Sequence, residues 1–278
     1  AFSQHSSVAY RKHGDTQYQY YYYRSAIDFY QKALKKSPDV GYVMLQLAKS
    51  YVKTNQPVEA EKWFIQARAN HGPFSLEDYN QYARVLVTLK KRNQAEALLE
   101  SILEKDPFAY LARAALSDLR DFQKYYLDSA SVQVDTLSIN TAVAEFAPAY
   151  YKEGIVFTSA RMEGPWRKKY HWDNSHFLNL YYSQKTSEKS LGKAVLFENE
   201  LSTRYHEGPA MFYSQFERMI LNRNQTATVE GRENVYERRL ALYDALFDEK
   251  NSRWDVTPLP FNEVAYSFAH PSISEDGN

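Results

Sequence analysis

Along the first half of the chain, small and large apolar residues recur at i, i+4 and i+7, the spacing that lines one face of a helix. Ala26, Tyr30 and Ala33 make the first such set, and Pro38 stops the helix behind it. The set returns as Ala60, Phe64 and Ala67, followed by Gly72-Pro73, and again as Ala95, Leu99 and Ile102, followed by Pro107. The leading alanines lie 34 and 35 residues apart. Twelve residues before each stands a small residue, Gly14, Ala48 or Ala83, and four before that a large one, Tyr10, Met44 or Tyr79. Small residues there let two antiparallel helices approach closely, and the large ones fill the groove between neighbouring units. The pattern predicts three helix pairs over 7–40, 41–75 and 76–109, a capping helix over 110–128, and a disordered tail over 1–6. Ile102 stands in the third copy where the first two have a small residue.

From about Ser129 the periodicity changes. Short β-branched and aromatic runs appear between turn signals, at 131–137, 147–151, 155–158, 178–183, 193–197, 209–213, 219–221 and 240–246. Lys152-Glu153-Gly154 reads as a hairpin turn between two of them. Close spacing with little helical pattern between predicts an antiparallel sheet architecture, such as a propeller or a sandwich. Residues 7–128 are expected to be all-helical and 137–278 almost all β.

A helix-pair repeat of this period resembles the tetratricopeptide family. Residues 145–161 (EFAPAYYKEGIVFTSAR) resemble the first blade of a TolB-like, WD-type β-propeller, and 172–181 its third strand. Residues 205–212 and 219–224 resemble the opening strands of a second blade, continued by 240–243, Trp254 and 259–262; 266–278 resembles the start of a third. The resemblance implies blade 1 at about 137–185, blade 2 at about 190–258, and blade 3 from about 259. Repeats followed by such a propeller are similar to the PorE-like OmpA-family proteins of the Bacteroidetes type IX secretion and gliding machinery. That likeness implies a non-enzymatic periplasmic scaffold associated with the outer membrane, partnered by other secretion-machine proteins. Peptidoglycan would be reached through a C-terminal OmpA-like module beyond residue 278, so the chain is expected to be a fragment. The alternative is the regulatory propeller of a hydrolase whose catalytic domain lies elsewhere. Glu145 stands where the family usually has Asp, Ser214–Glu217 replaces an Asp-Gly-rich turn, and 225–239 is a charged, Gly-poor insert.

Charge narrows the partners. The chain has 34 basic and 34 acidic residues, so there is no whole-chain footprint for nucleic acid. There is no cysteine, which excludes disulfides and thiol chemistry, and without a Cys at residue 1 no N-terminal lipid is expected on the chain as written. No apolar run is long enough to span a membrane. Ala1, in place of an initiator Met, is compatible with signal-peptide cleavage.

Candidate chemistry is sparse. His171 and His176 flank Asp173, yet zinc sites use tighter spacings and further ligands near by, which favours a structural role. His206-Glu207 admits an acid–base reading, with a structural hydrogen-bonding role preferred. Ser159 and Ser202 lack a nucleophile-elbow pattern, and no Gly-rich phosphate loop occurs. No enzyme, metal or cofactor is expected. Arg161, Arg167, Lys168, Lys169 and His171 interleave with Trp166 and Trp172, a composition that binds single strands on a platform but reads here as a solvated loop. The tyrosines 20–23 read as core and cap packing rather than as a contact patch.

The face of the first helices is the better candidate. By the family's pattern it presents Val8, Arg11, Asp15 and Tyr18, then Tyr42, Leu45, Lys49 and Lys53, then Asn80, Arg84 and Val87. Partner binding is assigned to Arg11, Tyr18, Tyr42, Lys49, Lys53 and Arg84. Arg11 and Asp15 stand where the family's carboxylate-clamp members have Lys and Asn, so chaperone C-termini are not the expected partner. Reversing the four basic residues is expected to leave the fold intact.

Overall fold

Tyr21, Asn55 and Lys90 adopt positive φ, at 62°, 52° and 60°, and they recur with the same period as the alanine pattern. Each sits in the tight turn inside one helix pair. The computed structural model describes all residues except 1, 39, 73, 162–168, 189, 229–235 and 275–278, without the side chains of 2–5, 226–228, 236 and 237. The chain forms two compact units, Ala1–Val134 with His171–Asn174, and Asp135–Tyr170 with Ser175–Asn278.

In the first unit the helices are α1 (Phe2–Gln19), α2 (Tyr23–Lys36), α3 (Gly41–Lys53), α4 (Pro57–Asn70), α5 (Leu76–Thr88), α6 (Arg92–Lys105) and α7 (Tyr110–Arg120). Pro57 opens α4, where its missing N–H costs nothing. Ser75 and Asp78 form a reciprocal capping box at the start of α5. Ala26, Ala60 and Ala95 are completely buried, as are Tyr30 and Phe64, so the repeating face is the continuous core. At Gly14 an added Cβ would lie 2.5 Å from the Tyr30 ring, which is why a small residue is needed where α1 crosses α2.

Two expectations fail at the ends. Residues 2–6, expected as a disordered tail, already belong to α1. No Gly or Pro interrupts them, and Ser7 is anchored by donating to the Ala33 carbonyl at 3.1 Å. The capping helix stops at Arg120 rather than 128, and Phe122–Tyr126 and Ser129–Ser131 form 3-10 turns. Beyond Leu119 its residues are exposed. Among the described residues no helix is long and apolar enough to cross a membrane.

Four residues from the second half of the chain group with the helices. The Trp172 ring lies 4.7 Å edge-on from Tyr23 and 6.1 Å, stacked, from Tyr21, and its Nε1 donates to the Lys53 carbonyl at 2.7 Å. Tyr23 is core, whereas Tyr20, Tyr21 and Tyr22 keep much of their surface exposed.

The second unit holds two antiparallel sheets. The first contains β1 (Glu145–Tyr151), β2 (Gly154–Ser159), β3 (Asn179–Ser187) and β4 (Ser190–Leu191) in that order, with β5 (Val195–Leu196) on β3. The β1–β2 turn falls at Lys152-Glu153, with Tyr151 opposite Gly154. The second contains β6 (Glu207–Tyr213), β7 (Arg218–Thr228), β8 (Tyr236–Asp248) and β9 (Arg253–Pro258), in chain order. One core joins both sheets, built from Tyr151, Val156, Leu180, Phe197, Met219, Leu221 and Trp254. Gly208 is needed at this junction, since its φ is 90° and a Cβ would meet the Thr158 hydroxyl at 2.4 Å. Both sheets are open, and among the described residues no barrel closes. The expected strand at 131–137 does not form, because no neighbouring strand pairs with it; Val132 and Val134 are exposed. The charged stretch 225–239 is partly strand, with Gln225 paired to Arg239 and Thr228 to Tyr236.

Candidate functional site

The face of the first helices begins with a carboxylate that is already occupied. Asp15 Oδ1 on α1 accepts from Tyr30 at 2.9 Å and from Tyr42 on α3 at 3.1 Å. Burial and the Asp15 charge push both phenols upward. The Arg11 guanidinium lies 5.9 Å from the centre of the Tyr42 ring. Tyr18 packs edge-on against Tyr23 at 5.0 Å, and burial raises it to about 12. Leu45 is buried in the core and does not reach the face.

Lys49 on α3 is also occupied. Its Nζ donates to Asp78 Oδ1 on α5 at 3.0 Å, with both side chains largely covered. Burial alone would raise the Asp78 pKa, but bonds from Ser75 and Lys49 outweigh it and lower it. The same carboxylate therefore caps α5 and joins it to α3. Lys49→Glu would place two carboxylates at this spot, which corrects the expectation that all four cations can be reversed without harm to the fold. Lys53 and Arg84 are exposed, and neither has an ion-pair partner among the described residues.

Sequence reasoning missed a cavity of about 560 Å³ at the far end of this face. Its walls come from Arg84 and Val87 on α5, Leu99 on α6, Leu111, Ala115 and Leu119 on α7, and Phe122 beyond it. The signal was present as the i, i+4, i+8 series Leu111, Ala115, Leu119 on a helix with no second helix to pair with.

The other candidates do different work. Arg161, assigned to the basic loop, binds Glu145 instead, with Nε 2.9 Å from Oε1, and caps the Ile139 carbonyl. Burial would raise Glu145, but Arg161, Thr141 and Asn140 overcome it and hold its carboxyl down at about 2. Trp166, Arg167 and Lys168 lie outside the described residues. His171 packs on Tyr22 in the first unit, while His176 belongs to the second. Among the described residues no three His, Cys, Asp or Glu side chains gather as a metal site.

His206 Nδ1 accepts from the Leu178 N–H at 3.1 Å, and Glu207 is 1% exposed, with Oε1 accepting from the Thr203 N–H at 2.8 Å. Burial raises Glu207 to about 7, against opposing contributions from Thr203 and Arg223. A carboxyl so enclosed cannot meet a substrate, and this pair joins β6 to the end of the first sheet.

Residues 22–74 match the tetratricopeptide repeat family model. A stretch of 106 residues, 37% of the chain, is 32% identical to cell division cycle protein 27 homolog B of Arabidopsis thaliana, of whose length it spans 14%. Among solved structures, the first tetratricopeptide domain of Spaghetti, bound to an HSP90 peptide, is 20% identical with a TM-score of 0.39, covering 44% of this chain and 95% of that one. The second such domain of human RPAP3, in complex with an HSP70 peptide, is 21% identical with a TM-score of 0.39, covering 43% and 98%. The family match, residues 22–74, takes in α2, α3 and α4 of the helical unit.

Proposed function

We propose that the protein is a non-enzymatic scaffold whose helical face docks segments of partner proteins. One observation carries the reading. The repeats present a face on which Lys53 and Arg84 are exposed cations, while Arg11 and Lys49 are engaged with their neighbours. Stacked helix pairs expose an extended surface suited to peptides or partner helices. Tyr18 and Tyr42 contribute its aromatic part.

The finer reading follows the resemblance to PorE-like OmpA-family proteins. The two sheets are the first blades of a propeller, supported by β6–β9, a four-stranded antiparallel meander of the kind that forms one blade. The scaffold then works in the periplasm at the outer membrane, with other secretion-machine proteins as partners and a C-terminal module on peptidoglycan.

The test compares recovery of membrane-fraction partners by wild type and by the Lys53→Glu/Arg84→Glu double variant. Both residues are exposed, so circular dichroism should not change. Exposed charge pairs contribute about 0.2–1 kcal/mol each, and reversal should weaken binding several-fold at low salt. Equal recovery with unchanged folding would remove the helical face as the docking surface. Cell fractionation and the coding sequence beyond residue 278 test the rest: an OmpA-like module supports the envelope scaffold, and a hydrolase domain overturns it.

A further inference from the structure

His206 and Glu207 take up both backbone groups of Leu178, the residue just before β3 of the first sheet. The Leu178 N–H donates to His206 Nδ1 at 3.1 Å, and the Leu178 carbonyl accepts from the Glu207 N–H at 2.9 Å. A backbone N–H can only donate, so Nδ1 must keep its lone pair and the ring proton lies on Nε2. Protonation would turn Nδ1 into a donor aimed at a donor. The ring is held from turning away. Tyr170 and Phe177 pack on it edge to face at 4.6 and 4.8 Å. Asn224 on β7 fixes its backbone, accepting from the His206 N–H at 3.0 Å and donating its own N–H to the His206 carbonyl at 3.3 Å.

We propose that His206 is an acid-released latch between the two sheets, closed while its imidazole is neutral and opened at Leu178 when Nδ1 takes a proton. Because only the neutral ring makes the bond, its contribution is present above the range where an imidazole ordinarily titrates, about 6.5, and is lost as pH falls through it. Among the described residues, the charged and titratable groups beside the ring, besides Tyr170, are Lys169 and His176 in the loop before β3, Arg204 and Tyr205 just ahead of it in the chain, Glu207 on β6, and Arg223, which stands opposite Glu207 on β7. Burial keeps Glu207 protonated up to about 7. Well below that pH this set holds no anion to compensate an imidazolium, and Arg223 opposes one. The proton is therefore accommodated by breaking the bond to Leu178, which leaves that N–H without its acceptor. Release is local, since β6 stays paired to β7 from Ala210 to Tyr213.

The test is a pH titration of the full chain by nuclear magnetic resonance, with nitrogen-15 in its leucines and histidines. The scalar coupling between the Leu178 and His206 Nδ1 nitrogens reports the bond itself, and the Nδ1 shift reports its protonation. Between pH 8 and pH 5 the coupling should vanish as Nδ1 protonates. Leu178 amide exchange, corrected for its intrinsic pH dependence, should lose about tenfold or more of its protection. The Leu221 amide, on a fully buried residue of β7 paired on both sides, should keep its own. His206→Asn puts Oδ1 where Nδ1 stands, an acceptor that does not titrate, and should keep Leu178 protected at pH 5. His206→Phe keeps a ring without the acceptor and should leave Leu178 unprotected at both pH values. Protonation of Nδ1 with Leu178 protection unchanged would overturn the latch. So would an Nδ1 that stays bare until the whole unit unfolds, or a His206→Asn variant that follows pH as the wild type does. Should either variant fail to fold by circular dichroism, the wild-type titration decides alone.

Discussion

Two glutamates in the second unit should respond to pH in opposite directions. Glu145 sits at about 2 in the folded chain against an ordinary 4.5, so its stabilisation is complete above 4.5 and is lost as pH falls towards 2. Glu207 is raised to about 7 by burial, so the folded unit keeps a proton that the unfolded chain releases at about 4.5. Its contribution is most favourable below 4.5, declines as pH rises to 7, and stays low above that. Glu207→Gln should therefore flatten the stability profile between pH 5 and 8, with a gain at pH 8 on the order of 3 kcal/mol relative to pH 5. Denaturant titrations at the two pH values measure it; an unchanged slope would show that Glu207 is ionised in the fold. Lys49→Glu belongs to the same scale. It leaves Asp78 without its cation and should destabilise the helical unit by about 2–4 kcal/mol, read from its denaturation midpoint.

At the scale of elements, the turn inside each helix pair carries a left-handed residue. Asn55 tolerates that conformation, whereas Tyr21 and Lys90 hold it at a cost. Lys90→Gly should gain up to about 1 kcal/mol by relieving that cost, net of the added freedom of the unfolded chain. Thermal unfolding measures the shift, and a loss would mean the Lys90 side chain supplies more than the strain removes. The helix core is more sensitive. Phe64 is fully buried and stacks on Tyr82 at 5.0 Å, so Phe64→Ala should cost about 3–5 kcal/mol. A stack in which each unit covers its neighbour transmits that loss, and helical content should fall across all three pairs.

On the scale of the whole molecule, sequence position and spatial grouping part company at Trp172, which belongs with helices more than a hundred residues earlier in the chain. Trp172→Ala removes two aromatic contacts and one hydrogen bond to Lys53. It should lower the stability of the helical unit by about 2–4 kcal/mol, measured by helical ellipticity against denaturant. The helix pairs were legible in the sequence because each is a local object: period, small-residue crossings and stop signals all lie within one repeat. The hairpin at Lys152-Glu153 was legible for the same reason. Strand extents were not, since 131–137 has strand composition without a partner and the ends of β7 and β8 are strand because they pair with each other. The candidate site divides likewise. Sequence placed Arg11, Lys49, Lys53 and Arg84 on one type of helix, which follows from periodicity alone. Only the tertiary structure decided which of them stay exposed, because the partners of Arg11 and Lys49 lie on neighbouring helices about thirty residues away, and periodicity carries no information about pairing at that distance.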